Sequence, residues 1–333
     1  MNSAILKSDV QVAGSMAIEG VEKGFFSDDQ VLPIVYQAAI PGVDAADWYA
    51  RNCGTVDQDL LTYGAVLFRG FPVAGEEQFE RFAKASIAEL ATYTEGATPR
   101  KELKRGVYTS TEFPADQEIA LHNELSYVPR PPRRLAFCCL VSPMTGGQTQ
   151  IADVRNVYRR LDPALIAEFE ARGGWMLRRN YGNHFGPTVF KAFGTDDIDE
   201  IRLYCERAGI RIEVHSEGVV TTEQVRQTTH PHPVTGEPIW FNHVAFWHPS
   251  SLCPSVREVL DQIYSRKEYP YCTYYGDGSE IPEATVAALR VAYIAEEVAF
   301  DWQEGDILLV DNWRVAHGRK PFTGDRRIIV SMG

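Results

Sequence analysis

Hydrophobic positions along the chain follow two kinds of pattern. Compact apolar runs, Ala65–Arg69 between Gly64 and Gly70 and Leu135–Val141, have the length and composition of buried strands. Longer segments repeat at helical spacing. Between Gly75 and Leu90, the residues Phe79, Phe82, Ala83, Ile87 and Leu90 mark one face of an amphipathic helix. Asp44–Tyr63 reads as a helix with Asp44 at its N-cap and Gly64 as its stop. Asp162-Pro163 sets a cap and a proline in the order that opens a helix, with Leu161, Leu165 and Phe169 as its buried stripe. Asp196–Ala208, opened by two aspartates, and Pro282–Ala295, with Val286, Leu289 and Tyr293 on one side, complete the predicted helices.

Further short strands are expected at Thr149–Ala152, Trp175–Tyr181, Arg211–His215, Ile239–Asn242, Ala299–Trp302, Ile307–Val310, Arg314–His317 and Arg326–Ser331. Residues 1–40 read as a lead-in with short strands and no strong period, and residues 41–333 as a single domain. Residues 92–118 carry glycine, proline and mixed charge without a period, which predicts a long, lid-like loop. Strands at short spacing near both ends of the chain do not suit a doubly wound parallel sheet. They predict an α+β protein with a mainly β core, a double-stranded β-helix or cupin-like jelly roll with flanking helices, which would take a ligand between its sheets.

Composition narrows the function classes. With 333 residues, 44% apolar and 11% aromatic, the chain can bury a sizeable core. A formal net charge of −12 argues against a nucleic-acid partner. No stretch approaches the length of a membrane span, and the first residues lack a secretory pattern, so a cytoplasmic protein is expected. The six cysteines, none in a Cys-x-x-Cys, read as buried free thiols.

The segment ALHNELSYV at 120–128 changes the picture most. On an extended strand, His122 and Glu124 would project to the same face, so an imidazole and a carboxylate would converge. With a second imidazole, that is the facial triad of non-haem Fe(II) oxygenases. Among the eight histidines, spacing alone does not select the partner; His317, ending a core strand just before Gly318, is a leading candidate. Arg326 and Arg327 open the last strand and alternate faces, so only one can look inward, where it needs an anionic partner.

These residues carry a resemblance. YGAVLFRGF at 63–71, LHNELSY at 121–127, GGQTQIADVRNVY at 146–158, FGTDD at 193–197, HPVTGEPIWFNHVAFWH at 232–248, YYGDGSEI at 274–281 and the stretch 305–332 occur in the order found in the taurine dioxygenase-like (TauD/TfdA) superfamily of Fe(II)/2-oxoglutarate oxygenases. The chain is similar in particular to the branch containing the syringomycin-type aspartyl hydroxylase. The resemblance implies that His122, Glu124 and His317 hold Fe(II), leaving sites for 2-oxoglutarate and O2. It implies that Thr149 and Arg326, in preference to Arg327, bind the distal carboxylate of 2-oxoglutarate. It makes Asn123, Asn180, Trp240, Asn242, Trp313 and Arg327 candidates for substrate or supporting contacts. Glu124 stands where the superfamily more often has Asp; the narrower branch, to which the chain is similar, carries His-Asn-Glu, and the carboxylate argues against a halogenase.

The activity so implied is hydroxylation of an unactivated C–H of an amino acid or amino-acid-derived substrate, free or tethered to a carrier protein, in specialised metabolism. The alternatives are desaturation, cyclisation or another oxidation with the same cofactors and, more remotely, a jelly-roll binding protein without turnover. The basic cluster Arg100, Lys101, Lys104 and Arg105 is a candidate carboxylate or phosphopantetheine contact, or a solvated loop. Oligomeric state is not readable from the sequence.

Overall fold

The computed structural model describes residues 4–6, 18–91, 95–96, 102–104, 106–110, 113–182, 186–216 and 218–333. Two sheets form its centre. The larger runs in the order 21–24, 34–38, 65–69, 307–311, 134–141, 327–332, 107–109, 102–104. The smaller runs 4–6, 298–300, 151–153, 315–319, 119–122. A further four-stranded sheet, order 210–216, 219–226, 175–181, 271–275, stands beside them. The mainly β core with flanking helices is the jelly-roll architecture expected from the sequence.

The unbroken apolar runs arise because the large sheet is covered on both faces. Leu67, Leu135, Phe137, Leu308, Val310 and Ile328 face one core, shared with Leu121, Ile151 and Val315 of the smaller sheet. Their neighbours Val66, Phe68, Ala136, Cys138, Ile307, Leu309 and Ile329 face a second core with Trp48, Tyr49, Phe79 and Phe82 of two helices. The strands lie antiparallel in a register that sets Leu308 opposite both Leu67 and Phe137.

Those two helices span Ala45–Tyr63 and Glu76–Ser86. The first has the expected cap: the Asp44 side chain accepts from the Asp47 N–H, and Gly64 ends it at φ +87°. The second stops four residues before the expected Leu90, because Ile87 turns extended and buries its side chain. Asp162 caps Pro163–Ala171 and Asp197 caps Ile198–Ala208 as expected. The helices Val154–Arg160 and Pro254–Ile263 and the strands Val219–Arg226 and Tyr271–Tyr275 are not among the elements that the hydrophobic pattern predicts. Val219–Arg226 buries Thr221, Thr222 and Gln224, so polar side chains occupy inward positions and break the apolar alternation.

Several expectations need correction. The described part of 92–118 is not one loop: Glu102–Lys104 and Val107–Thr109 form a hairpin on the edge of the large sheet, turning at Gly106 with φ +78°. Within 1–40 the expected short strands are present, and one of them, Ile34–Ala38, joins that sheet parallel to Ala65–Arg69. Cys53 and Cys253 are exposed, whereas the other four cysteines are buried. Arg100, Lys101 and Arg105 lie outside the described residues, as does His184; Lys104 sits 3.6 Å from Glu80. No described helix is long and apolar enough to cross a membrane.

One buried ion pair ties the large sheet to the turn before Ile307. Arg69 Nε and Nη2 donate to the two carboxylate oxygens of Asp306 at 3.0 and 2.7 Å, with both side chains almost wholly inaccessible. Removing one member leaves the other buried and uncompensated. Asp306→Ala is expected to lower unfolding free energy by about 3–5 kcal/mol, read from urea midpoints; a loss below about 1 kcal/mol would show that the pair is not structural.

Candidate active site

The site forms where two strands of the smaller sheet meet. Ile119–His122 pairs antiparallel with Val315–Arg319, and the register sets His122 directly opposite His317. Their ring centroids are 4.6 Å apart. Glu124 enters by a different route from the one expected. The strand ends at His122, and Glu124 lies in the following turn, next to Leu125 at φ +51°. Its carboxylate still reaches His317, 3.6 Å from Nε2. One ligand atom from each of His122, Glu124 and His317 lies within 4.8 Å of the others, and Glu124 and His317 are buried.

The hydrogen bonds around the trio suit a divalent cation. His122 Nδ1 donates to the Ala120 carbonyl at 2.8 Å, so a neutral ring carries its lone pair on Nε2. His317 Nδ1 is buried with no hydrogen-bond partner. Two imidazoles and one carboxylate are the borderline-to-hard donors that Fe(II) takes. Gly318 makes room for the strand pairing: a Cβ there would sit 2.4 Å from the Ile119 carbonyl oxygen.

A small, partly open cavity adjoins His122 and His317, lined also by Phe137, Thr149, Arg319 and Arg326 among others. Arg326 donates from Nε to the Gly147 carbonyl at 3.0 Å, and no carboxylate among the described residues is paired with it. Burial and the nearby Arg319 guanidinium push its pKa down to about 10. Thr149 Oγ1 accepts from Trp302 Nε1 at 3.2 Å, which leaves the hydroxyl proton for another acceptor. Arg327 points the other way and pairs with Glu76. The two arginines therefore do take opposite faces.

The remaining candidates are held elsewhere. Asn123 Nδ2 donates to the Asn312 carbonyl. Asn180 donates to the Lys267 and Tyr269 carbonyls and accepts from Thr221. Trp240 is fully buried against Phe169. Asn242 bridges Thr228 and Val244. Trp313 stacks on Phe241 at 4.3 Å. None of these lines the cavity. Of the other described histidines, His215, His230, His232 and His248 bond to Thr221, Gln227, Asp311 and Ile281 in turn.

Sequence reasoning missed two features. His243 lies beside the trio, its ring 5.3 Å from that of His122, with Nδ1 2.6 Å from Ser126 Oγ. Burial, and then the neighbouring His122, hold it well below the ordinary histidine value. With Phe246 and Trp247 it forms an aromatic wall next to His122. Its only sequence signal is its place in an apolar stretch, FNHVAFWH, two residues after Phe241. The second feature is Asn312, whose side chain grips the Glu124 backbone; nothing in its spacing marks it.

Residues 29–332 match the model of the taurine catabolism dioxygenase TauD, TfdA family. The chain belongs to that family of dioxygenases, whose cofactors are Fe(II), 2-oxoglutarate and O2. It is 36% identical over 277 residues to the dapdiamide synthesis protein DdaC of Enterobacter agglomerans, covering 83% of this chain and 84% of that one. It is 30% identical over 291 residues to a clavaminate synthase-like protein of Arabidopsis thaliana, covering 83% of each. Among solved structures, PvcB of Pseudomonas aeruginosa shares the fold with a TM-score of 0.54 at 15% identity, covering 96% of this chain and 93% of that one.

A metal titration separates the trio from its neighbour. His122→Ala and His317→Ala are each expected to weaken Fe(II) binding under anaerobic calorimetry by at least about 100-fold while the thermal midpoint moves little. His243→Ala is expected to leave affinity within about tenfold. Equal loss in all three variants would remove the distinction.

Proposed function

We propose that this dioxygenase hydroxylates an unactivated C–H of an amino acid or amino-acid-derived small molecule, with His122, Glu124 and His317 holding Fe(II). The observation that carries the reading is that two members of that trio, His122 and His317, line one cavity with Arg326, which has no carboxylate partner among the described residues. Arg326 and Thr149 would take the distal carboxylate of 2-oxoglutarate, one as a charged donor and one as a hydroxyl donor. A buried guanidinium without an acid is costly, so an anionic co-substrate that supplies one gains affinity there.

When bound, Fe(II) and 2-oxoglutarate supply the activation of O2, with decarboxylation of the co-substrate and oxidation of the C–H bond. The chain orients and encloses. The His122–Ala120 bond fixes the ring and its tautomer. Phe137 packs against His317 at 5.1 Å and keeps that side dry. His243, Phe246 and Trp247 stand on the other side of His122, where a substrate would meet an apolar wall with one neutral imidazole. The amino-acid class rests on the sequence resemblance to the aspartyl hydroxylase branch, and the biosynthetic setting on the likeness to a dapdiamide synthesis protein.

The test is a mass-spectrometric screen of free amino acids and aminoacyl carrier proteins with Fe(II), 2-oxoglutarate and O2. Gain of one oxygen coupled to succinate supports the reading. Loss of two hydrogens would transfer it to desaturation or ring closure, and absence of substrate-dependent succinate would end it. Arg326→Leu is expected to raise the KM for 2-oxoglutarate by about 10- to 100-fold, from the loss of a charged hydrogen bond of about 1.5–3 kcal/mol. Arg327→Leu is expected to leave it within about twofold; the reverse ranking would assign the carboxylate to Arg327.

A further inference from the structure

We infer that Asn312 is the positioning residue that sets the Glu124 carboxylate, and so couples the two halves of the metal site; this rests on the reading of His122, Glu124 and His317 as that site. Glu124 lies beyond the end of its strand, so strand geometry does not hold it. Asn312 does. Its Oδ1 accepts the Glu124 N–H at 2.8 Å, and its Nδ2 donates to the Glu124 carbonyl at 3.0 Å. One side chain thus grips the peptide groups on both sides of the residue and fixes its backbone rotation.

The grip is closed at every atom. The second Nδ2 hydrogen goes to the Pro132 carbonyl at 2.8 Å, and Asn123 Nδ2 returns a bond to the Asn312 carbonyl at 2.7 Å. Asn312 is fully buried. Holding the turn this way supports Leu125 in a left-handed conformation that a leucine otherwise avoids.

Its place in the chain gives the grip its consequence. Asn312 sits in the turn between Ile307–Asp311 and Val315–Arg319, five residues before His317. The same turn is braced by Asp311, which accepts from the Trp313 N–H and from His232, and by Arg314, which pairs with Asp153. One turn, linking a strand of the large sheet to a strand of the smaller one, therefore delivers an imidazole through the strand that follows it and holds the carboxylate through its own side chain. Outer partners that orient ligands typically contribute 10- to 100-fold in metal affinity.

The probe is Co(II) alone, titrated into the full chain and followed by calorimetry and by its visible d–d absorption. Asn312→Ala is expected to weaken Co(II) binding about 10- to 100-fold and to change the d–d band shape, because the carboxylate leaves the ligand set. Asn312→Asp keeps the size and the acceptor for the Glu124 N–H but loses both donors; it is expected to fold and to weaken binding by about tenfold or more. Asp306→Ala, destabilised by its own route, is expected to hold Co(II) within about threefold of wild type with an unchanged band. Asn312 variants that bind within that same margin, or whose loss is matched by Asp306→Ala, would overturn the inference while leaving the metal reading intact. Wild type that binds no Co(II), or Glu124→Ala that binds as wild type does, would overturn the metal reading itself and this inference with it.

Discussion

The site depends on one pairing: Val315–Arg319 lying antiparallel to Ile119–His122 with His317 opposite His122. Because side chains alternate along a strand, a slip of one residue in this register would send one imidazole to the other face. Residues on both flanks resist that slip. Gly318 leaves no room for a side chain against Ile119, and Arg319 donates to the carbonyls of Phe113, Pro114 and Gln117. The register is thus fixed by main-chain packing on one side and by a charged donor on the other, and the two imidazoles inherit their spacing from it.

The large sheet supplies the rigid background. Its central strands are buried on both faces, between the smaller sheet and two helices, and the Arg69–Asp306 pair joins strand to turn within it. Cores packed this densely deform little, so a site carried on their edges holds its geometry. Near the trio, the buried side-chain atoms without a hydrogen-bond partner include His317 Nδ1, Asn123 Oδ1, Gln150 Oε1 and Arg319 Nε.

The cavity is basic on its protein side: His122 and His317 line it together with Arg326 and Arg319, while the Glu124 carboxylate stands next to the two imidazoles. This is a more specific statement than the net charge of −12 allows, because a local basic pocket sits in an acidic chain.

The sequence by itself determined the strands whose apolar runs are long, the helices whose caps are explicit, and the residue types of the trio. Asp44, Asp162 and Asp197 announce helix starts because capping is a local interaction. The choice of His122, Glu124, His317 and Arg326 was legible through motif order, and the opposite faces of Arg326 and Arg327 through strand alternation. Tertiary structure alone decided how Glu124 arrives: through a turn held by Asn312, a residue 188 positions away, and not through strand periodicity. It alone moved Asn180, Trp240, Asn242 and Trp313 off the cavity, set His243 beside the trio, and turned part of the expected lid into an edge hairpin. The physical reason is the same in each case. Capping and periodicity act between near neighbours, whereas a hydrogen bond across 188 residues leaves no pattern in the segments it joins.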